Sequence, residues 1–256
     1  MGIFLSNIIF ISAQSKAAME INYEMKQITD STNLKHESFL SYTLICNLEE
    51  SVYYNKDAKS FYDALHNPNQ KEKWSFNNIS ALPKFPKTRG SIYRKGDRII
   101  ATLPVARDLY QFEEPALQWE ILHETKEIKG FKCQLAKTVT DTGDTFFAWF
   151  TKDIPIQEGP FRFKGLSGLI LEIYNKSKTI EIYATDLKKS EAVIEPLQYG
   201  KIIELKSKDQ YLKTRKNYLQ DPSGFTNNEI IVTDMSGNNL NKKIDANIKR
   251  VNVFLD

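Results

Sequence analysis

From Ser91 to Ala184 the chain is a succession of short alternating segments separated by turns, and nothing else in it constrains the fold as much. Ser91 to Arg94 and Arg98 to Leu103 flank Lys95-Gly96-Asp97. Leu117, Trp119 and Ile121 alternate with Gln118 and Glu120. Phe131, Cys133 and Leu135 alternate with Lys132 and Gln134, after Lys129-Gly130. An aromatic segment from Thr145 to Thr151 follows Asp141-Thr142-Gly143-Asp144, and Leu169 to Tyr174 and Thr179 to Ala184 flank Asn175-Lys176-Ser177-Lys178. Side chains of an extended chain point alternately to two faces, so period-two patterns between Gly- and Asn-rich turns predict hairpins. Ile21, Tyr23 and Met25, and then Leu40, Tyr42, Leu44, Cys46 and Leu48, continue the pattern upstream. The predicted fold is mainly β, of the α+β class: a single antiparallel, strongly curved sheet or half-barrel with a few helices.

Helical signals are few. Tyr54 to Phe76 places Phe61, Tyr62 and Leu65 at helical spacing and reads equally as a short helix or a decorated loop. Ser207 to Gln220 has Tyr211, Leu212, Tyr218 and Leu219 as a helix face, stopped by Asp221-Pro222-Ser223-Gly224. From about Asn227 the chain is polar and rich in asparagine and lysine. The expected organisation is residues 1–13 as a signal segment and 14–256 as one β-rich domain.

Lysine plus arginine exceed the acids by three in 256 residues. That excess is too small for the basic footprint of a nucleic-acid binder. Ile3 to Ala13, IFLSNIIFISA, is shorter than the roughly 20 residues that cross a bilayer, and no later stretch is long and apolar enough. It fits the apolar core of a secretory signal with cleavage near Ala13, although only Met1 and Gly2 precede it; the alternative is a buried first strand. Export to the periplasm or the outside is therefore expected. Cys46 and Cys133 are the two cysteines, readable as one bridge or as two buried thiols.

The stretch GPFRFKGLSGLILEIY, Gly159 to Tyr174, invites a catalytic reading and fails the tests for one. A phosphate loop needs its lysine after the second glycine; here Lys164 precedes Gly165. A nucleophile elbow needs GxSxG before a helix, and neither the spacing around Ser167 nor the strand that follows complies. Gly165-Leu166-Ser167-Gly168 matches the GxxG of an RNA-clamping loop only by two letters. Glycines permit positive φ and close backbone approach, so Gly159, Gly165 and Gly168 are expected to shape a turn.

Gly165-Leu166-Ser167-Gly168-Leu169-Ile170 resembles the motif of the GLPGLI family, common among secreted Bacteroidetes proteins. Trp119-Glu120-Ile121, Glu124 to Ala136 (ETKEIKGFKCQLA), Ala148-Trp149-Phe150-Thr151, Ile154-Pro155-Ile156 and Gly159-Pro160 are similar to further blocks of it. Ser167 stands where the family has proline, and Phe131 where it has tyrosine. The resemblance implies export and an uncharacterised role, and it brings no activity, cofactor or catalytic residue.

Other constellations are thin. His36, His66 and His123 lack metal-ligand spacing, so no metal and no cofactor are expected. Asp153, Glu158 and Glu172 flank the glycine stretch as a conceivable carboxylate pair for glycoside cleavage. Phe146 and Phe147 are adjacent and must face opposite sides of their strand, one towards the core and the other towards a helix or a ligand. Trp149, Phe147, Phe161, Phe163 and Leu166 are the candidate ligand-binding residues. The expected function is a non-enzymatic exported envelope protein that binds an apolar or lipid-like small molecule. The alternatives are an envelope protein-interaction module and a hydrolase that uses dispersed carboxylates.

Overall fold

A computed structural model describes residues 15–66, 84–197, 200–226, 231–234 and 236–256. The expected signal segment lies outside these residues. The elements are β1 (Met19–Ile28), β2 (Glu37–Cys46), β3 (Glu50–Asn55), α1 (Lys56–His66), β4 (Ser91–Lys95), β5 (Arg98–Val105), β6 (Asp108–Glu114), β7 (Glu120–Ile128), β8 (Phe131–Val139), β9 (Thr145–Thr151), β10 (Leu169–Asn175), β11 (Ile180–Lys189), β12 (Ile202–Glu204), α2 (Lys208–Gln220), α3 (Pro222–Phe225) and α4 (Asn241–Ile248).

The twelve strands of the described residues join one sheet in the order β12-β6-β5-β4-β3-β2-β1-β11-β10-β9-β8-β7. Two meanders run outward from the centre, where β1 pairs antiparallel with both β2 and β11. The turns predicted from glycine are left-handed where they must be: Gly96, Gly130 and Gly143 have φ of 57°, 80° and 91°. Lys129 and Gly130, both at positive φ, form a two-residue hairpin loop of the kind that matches strand twist.

The expected half-barrel is corrected. β12 joins β6 in parallel, so the sheet is mixed though mostly antiparallel. It is neither closed nor strongly curled. Closure requires the end strands to pair, and here one end is the largely exposed, charged β7 and the other a three-residue strand.

The main core lies on one face, here the inner face, and takes Ile21, Tyr23 and Met25 from β1, Leu44 and Cys46 from β2, and Phe146, Ala148 and Phe150 from β9. The outer face has a smaller cluster of Ala17, Ile45, Val52, Tyr54 and Ile194, where α1 packs on β2 and β3. β3 sits between the two, Tyr53 in one and Val52 and Tyr54 in the other. All six of its residues are buried, which is why it shows no alternation.

Cys46 and Cys133 are free and fully buried. In sheet order their strands stand five steps apart, on the order of 24 Å at about 4.8 Å per step. No disulfide spans that distance. Burial pushes the Cys46 thiol up to about 12 and the Cys133 thiol to about 11, and a thiol is reactive only as thiolate. At pH 8 the native protein is expected to be inert to an aromatic disulfide reagent, with both thiols reacting once guanidinium unfolds it. Rapid titration of either in the native state would contradict this account of the core.

Candidate functional site

The glycine stretch is folded across the inner face by two buried ionic clusters. Glu158, fully buried, is held by Arg94 of β4 and by Lys164. Arg162, also with no exposed side chain, meets Glu114 of β6 at 3.1 Å and Asp141 of the β8–β9 turn, and donates to the Pro115 carbonyl at 2.9 Å. Lys208 of α2 reaches the same two carboxylates at 3.0 and 3.1 Å. Burial pushes the Glu114 carboxyl up, more than the Arg162 and Lys208 charges pull it down. Burial also raises Asp141, but there Arg162 and Lys208 prevail and hold it below the usual carboxylate range. A raised and a lowered carboxyl side by side resemble an acid–base pair. Glu114 is 1% exposed and ion-paired, so a substrate cannot reach it, and the cluster acts as a clamp.

The glycines serve this fold-over. Gly165 has φ of 91°. Gly168 does not have positive φ; a Cβ there would overlap the Thr151 carbonyl oxygen and lie 2.7 Å from its carbon. A Cβ on Gly159 would overlap the Phe163 carbonyl oxygen and come within 2.8 Å of the Ile170 side chain. Leu169 to Leu171 are all buried because the register of β10 on β9 shifts between Ile170 and Glu172, and the extra residue of such a bulge breaks the two-face alternation.

The candidate ligand residues divide between the two faces. Phe163 packs against Phe146 at 4.7 Å and Trp119 at 6.4 Å and is fully buried; Leu166 joins the same core. Phe161, at φ of 53°, lines a cavity. Phe147 and Trp149 lie on the outer face, opposite Tyr174 and Glu172 in register. Asp153, Glu158 and Glu172 do not converge: Asp153 is exposed, Glu158 lies within the core, and Glu172 pairs with Lys126 on the outer face. No group of three or more His, Cys, Asp or Glu among the described residues could hold a metal.

The cavity, of about 320 Å³, lies between the inner face and the C-terminal elements. Tyr42 and Tyr53, stacked at 4.8 Å, form part of its wall with Phe161, and Tyr211, Arg215 and Phe254 face them. Arg215 is neutralised by Asp256 at 2.6 Å and lies 3.9 Å from the Phe254 ring centroid. The tail that carries Phe254 is docked by Asn252 and Val253, whose amides donate to the Thr29 carbonyl. Burial pushes the Tyr211 phenol up to about 12 and Tyr53 well above the ordinary value. Sequence reasoning missed Tyr42, Tyr53 and Tyr211 as a group, because their approach depends on long-range pairing.

Among the described residues, one buried polar atom of this wall has no hydrogen-bond partner: the Tyr53 hydroxyl. An unmet buried hydroxyl costs about 1–3 kcal/mol. Tyr53→Phe is therefore expected to raise the melting temperature by about 2–4 °C, taking about 1 kcal/mol as recovered. A lower melting temperature in differential scanning calorimetry would show that the hydroxyl contributes a bond to the fold.

The profile of the family described as N-glycanase peptide, N-terminal domain, matches residues 88–211. No curated protein matches. Among solved structures, PNGF-II in space group P21 gives a TM-score of 0.48 at 16% identity, covering 76% of this chain and 32% of that one. PNGF-II in space group C2 gives a TM-score of 0.49 at 15% identity, covering 81% and 33%. An uncharacterised conserved protein from Thermus thermophilus gives 0.37 at 4%, covering 74% and 91%. The chain thus spans about a third of the length of the PNGF-II chains. The matched residues include every block that resembles the GLPGLI family, and no GLPGLI relative is found, so that resemblance is corrected. In this chain those letters have a packing role: Gly168 lies against Thr151, and Leu169 and Ile170 are buried. The matched family is named for an enzyme, which overturns the expectation of a non-enzymatic envelope protein that binds an apolar ligand.

Proposed function

We propose that this chain works in an N-glycanase-type protein, as the part that holds the glycan-bearing substrate. The observation that carries the reading is the family match over residues 88–211. That segment runs from the wall of the cavity, across both ionic clusters and the aromatic strands β8 to β10, to Tyr211. The geometry favours a holding role. The carboxylates Glu114 and Glu158 are committed to internal ion pairs, while Tyr183 and the half-buried Phe147, Trp149 and Tyr174 of the outer face reach the surface.

The test is retention of a glycoprotein with one N-linked glycan on the immobilised protein, against the same glycoprotein stripped of that glycan. Release of the glycan is followed by intact-mass spectrometry in the same mixture. At least tenfold stronger retention of the glycosylated form, or release of its glycan, is the expected outcome. Equal retention of the two forms with no release overturns the reading. Export belongs to the same proposal: native material should begin near Gln14, and an N-terminal sequence starting at Met1 would remove that part.

A further inference from the structure

The outer face of β9 to β11 carries two register rows that mix aromatic and charged side chains. Phe147, Tyr174 and Glu181 form one row, and Trp149, Glu172 and Tyr183 the next. The described helices pack elsewhere, α1 on β2 and β3, and α2 on β5 and β6. Phe147 stacks on Tyr174 at 5.6 Å with 21° between the planes. Tyr183 is 37% exposed, and Phe147, Trp149 and Tyr174 are half-buried. Ammonium groups stand over one face of two rings: Lys126 Nζ is 4.7 Å from the Trp149 centroid and pairs with Glu172, and Lys178 Nζ is 5.4 Å from the Tyr174 centroid.

We propose that this face is a carbohydrate-binding platform that takes a neutral oligosaccharide, which deepens the N-glycanase reading and rests on it. A sugar ring has an apolar C–H face and a hydroxyl rim. Aromatic faces carry the negative side of a quadrupole and accept polarised C–H groups. The carboxylates accept from hydroxyls and the ammonium groups donate to them, so the mixed rows offer both halves of that recognition at strand spacing. The charges also select the occupant. The lysines that face carboxylates here are already paired, Lys126 with Glu172 and Lys26 with both Glu181 at 3.2 Å and Glu37 at 3.0 Å. A balanced patch has no attraction for a polyanion and has the donors and acceptors that a neutral polyhydroxylated chain needs.

The probe is a biantennary N-linked oligosaccharide freed from protein, titrated into the whole protein by calorimetry. Wild type is expected to bind it, and Tyr183→Ala and Trp149→Ala each to bind at least tenfold more weakly. Tyr183→Ala, at an exposed position, keeps the test valid if Trp149→Ala lowers the melting temperature. No binding by wild type, or unchanged binding by a folded Tyr183→Ala variant, overturns the proposal. So does sedimentation equilibrium showing a dimer that Tyr183→Ala dissociates, since the face would then belong to a second copy. Loss of oligosaccharide binding with glycoprotein retention or glycan release intact would remove this platform and leave the proposed function standing. Loss of all three would remove both.

Discussion

Gly168→Ala is expected to destabilise the protein by on the order of 3 kcal/mol, the upper part of the usual range for overpacking. The added methyl would overlap the Thr151 carbonyl oxygen and sit 3.1 Å from the Lys152 Cα. Both are backbone atoms. They belong to the end of β9, which pairs with β8 on one side and β10 on the other, so neither can yield without breaking ladder hydrogen bonds. The site lacks the positive φ that makes many turn glycines irreplaceable, and the cost is wholly steric. At about 2–4 °C per kcal/mol for a chain of this size, the melting temperature should fall by roughly 6–12 °C. Gly165→Ala provides the contrast: no heavy atom lies within 4 Å of its Cβ, but φ is 91°, a strain of about 1–3 kcal/mol. A Gly168→Ala protein that melts with wild type would show that the turn does not bind to the β9 end as described.

The second large effect is at Arg162. Arg162→Met keeps most of the side-chain volume and removes the charge that faces Glu114 and Asp141. A buried ion left without its partner costs about 3–5 kcal/mol, or a fall of roughly 6–20 °C. Lys208 still touches both carboxylates, which places the expected value at the lower end. Adding Glu114→Gln to Arg162→Met should recover stability, because the uncompensated charge disappears with its partner. If Arg162→Met costs nothing in urea denaturation, or if the double variant is no better than the single, the cluster does not clamp the fold. The acid limb gives an independent check. Asp141 is held below its unfolded value, so its contribution is present above about pH 4 and fades as pH falls through the folded value. Glu114 is raised, so its part is fully present below the unfolded value and is lost as pH rises through the folded one. Removing Arg162 weakens the hold on Asp141 and should flatten the acid limb of the stability curve.

Local chemistry made the hairpins legible. Lys95-Gly96-Asp97, Lys129-Gly130 and Asp141 to Asp144 are turns because glycine there takes positive φ, and a two-residue period places side chains on two faces whatever the rest of the chain does. Asp221-Pro222 stopped a helix for equally local reasons: α2 ends at Gln220 and Pro222 opens α3. The opposite facing of Phe146 and Phe147 is likewise a property of one strand. β3 was illegible because burial on both faces erases alternation, and β12 because three residues carry no period. The openness of the sheet was also beyond reach. Whether the end strands meet depends on twist summed over twelve strands, and no segment encodes that sum.

The site shows the same division. The residue types in the glycine stretch, Arg162 and Lys164 among aromatics, were in plain view, yet nothing in the sequence says which acids meet them. Only tertiary structure brings Glu114, Asp141 and Glu158 to them from separate elements, burying Glu114 and Glu158 with their cationic partners and leaving Asp141 at the rim. The cavity wall joins Tyr42, Tyr53 and Tyr211, more than 150 positions apart at the extremes, through strand pairing and the docking of α2. Sequence alone determined which side chains lie on opposite faces of each strand, since that follows from backbone geometry. Which face became core, which held a cavity and which stayed open was decided by long-range pairing, because burial is a property of what packs above a residue and not of the residue itself.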